Sequence, residues 1–362
     1  MGNICGSSPA VQPTKERKAS IAAATVPPLD REKAASPVPR ATTPNIRDDS
    51  ERILRILLLG PAESGKTTLL EQIRIIHKQT FTEAELFHKR VVIYATILSS
   101  LQRLIQYVHE EGGKMSTEEN AHYAENLLLE EVHYSRFTEE QVKAISSVWH
   151  DPIVQDAYTR RSAVNLNDST KFFLDELPRI NSVDYMPTPE DMIMNYVPTV
   201  GVQNVIFTVN NRTFQLFDIG GQKIDRRKWA TMYDGIDAIF YCLAISEYDQ
   251  VMMEDMKTNR LEDSLALLEK IAHEEKFANT PLMLFLNEVD VFTQKLSVFP
   301  LDDFIPDYAG RTPEDALNFI EEMARMRVGR TDKNLFRVYR TVMIDTPKMT
   351  KILTEIFKKQ LR

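Results

Sequence analysis

The residues best placed to do chemistry stand together in Gly60-Pro61-Ala62-Glu63-Ser64-Gly65-Lys66-Thr67, which has the spacing G-x-x-x-x-G-K-[ST]. The backbone N–H groups of such a loop wrap a β-phosphate, and the positive end of the following helix adds to the attraction. Lys66 would reach the β- and γ-phosphates, and the Thr67 hydroxyl is a ligand of the kind Mg²⁺ takes. Taken alone, the run also fits a glycine-rich turn with a chance lysine. Its setting favours the phosphate: the apolar run Ile53–Leu59 reads as a buried strand, and Lys66–Lys78 reads as a helix with Leu69, Leu70, Ile73 and Ile76 on one face.

The elements that must position this loop change character along the chain. Residues 1–50 repeat proline among Ser, Ala, Lys and Arg, a composition that predicts a flexible arm. Residues 81–185 read as almost entirely helical. Thr82 and Glu85 have the capping-box spacing, and Val91, Ala95, Leu98, Leu101, Ile105 and Val108 recur as the stripe of a long amphipathic helix. Shorter helical patterns follow at Thr138–Trp149, Asp151–Arg161 and Ser169–Leu177, and Pro187, Pro189 and Pro198 predict an extended connector. From Gly201 strands and helices alternate. Val202–Val209 and Thr213–Phe217 flank Asn210-Asn211, a hairpin signal. Further strands are predicted at Ala238–Ala244, Leu282–Leu286 and Phe336–Thr341, with helices near Arg226–Tyr233, Thr258–Lys276, Pro313–Met326 and Thr350–Leu361. Such alternation predicts a mostly parallel sheet covered on both faces. The first strand and helix belong to that sheet, so the helical block is an insertion. The expected division is an arm at 1–50, an α/β domain from 51–80 with 191–362, and an inserted helical domain at 81–190.

Three more segments, in order, give the loop a family. Phe217-Asp218-Ile219-Gly220-Gly221-Gln222 resembles the D-x-G-G-Q switch of heterotrimeric G-protein alpha subunits. Phe285-Leu286-Asn287-Glu288-Val289-Asp290 sits where that family reads guanine with N-K-x-D, and Leu166-Asn167-Asp168-Ser169 resembles its L-N-D-S. The resemblance runs from about Leu57 onward, helical insertion included. It implies an α/β fold: a Ras-like P-loop GTPase domain, with a six-stranded mostly parallel sheet, and an inserted all-α helical domain. It also implies a GTP/GDP switch that hydrolyses GTP with Mg²⁺ bound. Thr67, Thr199 and Asp218 would then serve the metal, Asp218 through water. Gly221 would donate its N–H to the γ-phosphate, and Gln222 would orient the attacking water. Asp290 would accept from the guanine N1 and N2 hydrogens, beside Asn287 and the Met343 backbone. Asp168 and Ser169 would close over the nucleotide, which Glu63, Ser64, Gly65, Lys66, Thr67, Thr68, Ile193 and Met194 would also touch. Without this order Asp218 is a strand-end turn residue, Gln222 a loop glutamine and Asp290 a solvated carboxylate. Trp229 reads as core more readily than as contact.

The departures from the family pattern bear on rate. Its arginine finger falls at Tyr196, and the arginine two residues earlier is Met194. Ala62 replaces a glycine beside the γ-phosphate, where a methyl would crowd Gln222, and Pro61 stiffens the loop. Glu288 replaces the lysine that packs under the base and bonds to the phosphate loop. Met343 replaces an alanine, so its side chain must turn away while its N–H still donates to the base. These changes predict slow hydrolysis and weaker or faster-exchanging nucleotide. A nucleotide-binding scaffold without efficient turnover is the alternative; an ATPase is disfavoured by Asp290.

The resemblance further implies a beta-gamma dimer and a G-protein-coupled receptor as partners. Only sixteen residues follow Thr346, fewer than the family's receptor-binding tail needs. Met1-Gly2-Asn3-Ile4-Cys5-Gly6-Ser7 resembles an acylation site, with myristate on Gly2 and palmitate on Cys5 as two anchoring signals. The expected location is the cytoplasmic face of the plasma membrane or the cytosol. A net charge of −8 argues against nucleic acid. The two cysteines, Cys5 and Cys242, suggest no disulfide framework. The histidines have no metal-ligand spacing, and no uninterrupted apolar run approaches the ~20 residues of a membrane helix.

Overall fold

Strand β1 (Leu54–Leu59) runs through the middle of the sheet, and its alternation sets both faces: Ile56 and Leu58 join one core, Leu57 and Leu59 the other. The computed structural model describes residues 52–361 except 133, 134, 165, 167, 168, 196, 253 and 254. The predicted arm at 1–50 with Gly2 and Cys5, and the site candidates Asp168 and Tyr196, therefore lie outside the described residues.

After β1 come α1 (Lys66–Ile76) and a run of helices: α2 (Glu83–Glu110), α3 (Glu118–Leu129), α4 (Glu139–Trp149), α5 (Pro152–Thr159), α6 (Thr170–Asp175), α7 (Leu177–Ile180) and α8 (Pro189–Met194). Then β2 (Val202–Val209) and β3 (Arg212–Ile219) form a hairpin, followed by β4 (Ala238–Ala244), α9 (Arg260–Ala272), β5 (Leu282–Asn287), α10 (Val289–Lys295), α11 (Pro313–Val328), β6 (Phe336–Arg340) and α12 (Thr346–Glu355). The sheet has six strands in the order β2-β3-β1-β4-β5-β6, and only the β2–β3 pair is antiparallel. This is the Ras-like sheet with a helical insertion that the sequence implied. Asn210 and Asn211 close the hairpin with φ of 51° and 62°, the left-handed pair that a two-residue turn of this twist requires.

One face of the sheet is covered by Leu261, Leu265 and Leu268 of α9, Phe292 of α10 and Ile320 of α11. The other is covered by Leu69, Leu70 and Ile73 of α1, Met349 and Leu353 of α12, and Phe357. The helical insertion has its own core around α2. There the buried face is wider than the predicted stripe: Ile93, Tyr94, Ile97 and Leu104 join Leu98, Leu101, Ile105 and Val108, while Val91 and Ala95 are half-buried. Thr82 and Glu85 form the expected capping box. At 28 residues α2 is also long and apolar enough to cross a membrane, although no uninterrupted apolar run reveals this. With 50% of its most apolar stretch buried inside the protein, it reads as a core helix.

Three predictions needed correction. The proline-marked connector contains α8, because Pro189 at the first helical position loses only an N–H that has no partner there, and Thr188 with Asp191 forms a capping box. Helix α3 falls within the predicted helical block but was not marked out on its own; only Asn120, Ala124 and Leu127 of it are buried, too sparse a pattern to read. Nor was α10, seven residues long, which starts from Glu288 in the left-handed conformation directly after a strand.

Candidate functional site

The carboxyl ends of the strands and the α5–α6 region of the insertion enclose a cavity of about 480 Å³. On its floor the phosphate loop turns sharply. Gly60 has φ +141°, and a Cβ there would lie 2.3 Å from the Cys242 carbonyl oxygen, so only glycine fits. Gly65 has φ +93°, with a Cβ position 2.4 Å from Asn287 Nδ2. Helix α1 therefore begins abruptly. No side chain caps it, and Gly65, Lys66, Thr67 and Thr68 all line the cavity, the arrangement that presents helix N–H groups to an anion. Lys66 is buried and its Nζ donates to the Pro61 carbonyl at 2.6 Å. Burial lowers its pKa from the ordinary lysine value, and the Asp218 charge opposes that shift.

Three oxygens converge beside it. Thr67 Oγ1 lies 2.9 Å from Thr199 Oγ1 and 2.9 Å from Asp218 Oδ2, and Thr199 Oγ1 lies 3.1 Å from the same carboxylate oxygen. The other oxygen, Asp218 Oδ1, is buried with no hydrogen-bond partner. Burial raises the Asp218 pKa, while Lys66 and the two threonine hydroxyls lower it. Two hydroxyls and one incompletely satisfied carboxylate are hard oxygen donors of the kind Mg²⁺ takes alongside phosphate. Among the described residues no group of three His, Cys, Asp or Glu side chains could hold a metal by itself.

The segment after β3 comes close to the loop. A Cβ on Gly221 would meet Lys66 Nζ and the Pro61 carbonyl carbon at 2.5 Å, so this backbone touches the phosphate loop only because it is glycine. Gln222 is exposed and lines the cavity. Arg226 ties this segment back, donating Nε to the Gly221 carbonyl at 3.0 Å and pairing with Asp263 of α9 at 2.7 Å. Trp229 is 1% exposed, and its Nε1 donates to the Gly220 carbonyl at 3.0 Å, so its indole is core.

At the far end Asp290 lies on the first turn of α10 and lines the cavity. Asn287 Oδ1 accepts from the Met343 N–H at 3.0 Å, and Nδ2 donates to the Ser64 carbonyl at 3.5 Å. The expectation that the Met343 N–H faces the base needs correction: here it is engaged by Asn287. The Met343 side chain is buried with the α1–α12 core. Glu288 accepts from the Ser246 hydroxyl, which anchors its carboxylate locally.

From the helical side Ser169, Ile193 and Met194 line the cavity. Ser64 does not; it is buried below, its Oγ donating to the Pro61 carbonyl at 2.9 Å. Asp218 also lies beneath the wall, reaching the cavity through Thr67 and Thr199. Tyr158, Arg161, Lys171 and Phe172 are among the lining residues that were not foreseen. Two of them are cations flanking Leu166–Ser169 in the sequence, the one signal that pointed to them. Arg260 was missed as well. It reaches from α9 to Glu63, whose backbone is left-handed at φ +63°, at 2.8 Å and to the buried Glu247 at 2.5 Å.

Comparison with known proteins gives the family of the chain. Residues 33–360 match the profile of the family described as G-protein alpha subunit. The chain is 51% identical over 323 residues to the guanine nucleotide-binding protein alpha-13 subunit of Caenorhabditis briggsae, covering 88% of this chain and 93% of that protein. It is 51% identical over 312 residues to the protein of the same name in Caenorhabditis elegans, covering 86% and 90%. It is 36% identical over 286 residues to the G(o) subunit alpha of Caenorhabditis elegans, covering 77% and 81%.

Proposed function

The chain belongs to the G-protein alpha-subunit family, and on that premise we propose that it is a Mg²⁺-dependent GTP/GDP switch whose hydrolysis is slow. Guanine-nucleotide binding, GTP hydrolysis and signal transduction are properties of the family as a whole. The observation that carries the residue assignment is the convergence of Thr67, Thr199 and Asp218 beside Lys66, at the N-terminal end of an uncapped helix. When bound, Mg²⁺ would draw charge from the phosphate oxygens, with Thr67 and Thr199 as hydroxyl ligands and Asp218 behind them.

The chain's own residues do the rest. Lys66 and the first N–H groups of α1 hold the phosphates. Gly221 offers its N–H to the terminal phosphate, and Gln222 orients the water that attacks it. Asp290 selects guanine. Tyr196 at the finger position supplies no guanidinium to the phosphate oxygens. The known gap between alpha subunits with an arginine in cis and a small GTPase without one is roughly one to two orders of magnitude, and we assign this chain to the slower side. Gly2 and Cys5 carry acyl groups in this reading, and the partners are a beta-gamma dimer and a receptor.

The test is release of labelled GDP and a non-hydrolysable GTP analogue with and without excess chelator, together with single-turnover hydrolysis. Chelation is expected to speed release of both nucleotides. Purified protein that retains neither nucleotide at millimolar concentration with Mg²⁺ would sink the assignment. A rate below about 10⁻⁴ s⁻¹ that Tyr196→Arg does not restore would favour a scaffold instead.

A further inference from the structure

The chain crosses twice between sheet and helical insertion, once from α1 to α2 and once from α8 to β2. A buried charged cluster sits where the two crossings meet. Lys89 of α2 is buried, and its Nζ donates to the Asn195 carbonyl at 3.1 Å. Asn195 is also buried, and its Nδ2 donates back to the Lys89 carbonyl at 3.0 Å. These two bonds clasp the start of the second crossing to the helix that begins after the first. Glu71 of α1 supplies the counter-charge, with Oε1 4.0 Å from Lys89 Nζ; it too is buried, and Arg74 shares it at 3.4 Å.

The cluster is joined to the reactive end of the site in two ways. Glu71 lies one turn along α1 from Thr67, and Asn195 precedes Thr199 by four residues. A second cavity of about 150 Å³ has Thr67, Glu71, Lys89 and Val197 in its wall, so Lys89 and Thr67 border one space. A lysine is rarely buried unless it is paired, and this one is spent on a backbone carbonyl of the segment that leads to Thr199.

We propose that Lys89 is a positioning residue for the nucleotide reaction: through Asn195 it fixes the segment leading to Thr199 against the phosphate side of the cavity, with Glu71 as its buried counter-charge. This rests on the phosphate-site reading above. Nucleotide held between the sheet and the insertion leaves when they part, and the clasp resists parting at the hinge. The same clasp holds Thr199 in register with Thr67 and Asp218.

The experiment uses the full chain loaded with fluorescent GDP. Lys89→Met is expected to speed GDP release about tenfold, the loss of one hydrogen bond to a charged donor, and to slow single-turnover hydrolysis. Lys89→Arg keeps the charge and a donor and is expected to restore most of both. Glu71→Gln alone also speeds release, because it leaves a buried ammonium without its counter-ion. The pair Glu71→Gln with Lys89→Met is expected to release GDP more slowly than the product of the two single effects. Asn195→Ala removes one bond of the clasp without unpairing a buried charge, and reads the same rate should Lys89→Met fail to fold. Unchanged release in folded Lys89→Met, or in Asn195→Ala, overturns the proposal, as do single effects that simply multiply. Failure of the parent protein to bind GDP would instead overturn the phosphate-site reading.

Discussion

At the scale of single residues, close backbone approach separates glycines that hold the site from glycines that merely turn the chain. Gly65 has a positive φ, and a Cβ on it would collide with Asn287 Nδ2 at 2.4 Å and Met343 Sδ at 2.8 Å. Gly112 also has a positive φ, +71°, but nothing lies within 4 Å of its Cβ position. Gly112→Ala is therefore expected to cost only the left-handed conformation, about 1–2 kcal/mol, with nucleotide affinity unchanged. Gly65→Ala must also displace Asn287, which holds the Met343 N–H, and is expected to weaken GDP binding by at least about tenfold, the equivalent of roughly 1.4 kcal/mol. Calorimetric titration of the two variants decides it; equal affinities would remove the argument from Gly65. Tyr196 makes the complementary case. On the proposed reading that it stands at the finger position, Tyr196→Arg is expected to raise single-turnover hydrolysis by about ten- to a hundredfold. No change would mean that Ala62, crowding Gln222, sets the rate.

At the scale of elements, stability depends on termini as much as on apolar faces. Helix α2 begins at Thr82, whose hydroxyl accepts from the Glu85 N–H at 3.2 Å while the Glu85 carboxylate accepts from the Thr82 N–H at 2.7 Å. Partial burial works against ionisation of Glu85, but hydrogen bonds from Arg74 and from Thr82 outweigh it and bring its pKa down to about 2 from 4.5. A carboxyl depressed on folding stabilises above its unfolded pKa and loses that contribution as pH falls toward the folded value. Glu85→Gln is thus expected to be less stable than the parent at pH 7, with the difference closing between about pH 4.5 and 2. Denaturant melts at a series of pH values check the sign, and a gap that widens on acidification would refute it. The same local physics explains what the sequence made legible. β4 falls on its predicted residues because Ala238–Ala244 is an unbroken buried run, and the capping box of α2 is a three-residue pattern. The phosphate loop was legible for the same reason, since its chemistry lies in eight consecutive residues. Arg260 and Lys89 were not, because Glu63 and Asn195 are distant in sequence and only the fold brings these pairs together.

At the scale of the whole molecule, the cavity lies between the sheet and the helical insertion, and one core on each side holds one of the two tryptophans. Trp149 is buried in the helical core and donates Nε1 to Asp175 at 2.7 Å; Asp175 lines the cavity. Trp229 donates to the Gly220 carbonyl, one residue before the glycine whose backbone touches Lys66 and Pro61. The two indoles therefore face different questions. Trp149 reports that something fills the cavity and engages its helical wall, whatever the number of phosphates. Trp229 reports the posture of the Gly220–Gln222 segment, which on the proposed reading responds to the terminal phosphate. In Trp229→Phe, the emission of Trp149 is expected to change on nucleotide binding and to be the same for GDP as for a non-hydrolysable GTP analogue. In Trp149→Phe, the emission of Trp229 is expected to differ between the two. A ligand shifts an equilibrium only by its differential affinity for the two states. A Trp229 signal identical with both nucleotides would therefore mean that the terminal phosphate gains nothing from this segment, and the chain would bind GTP without switching.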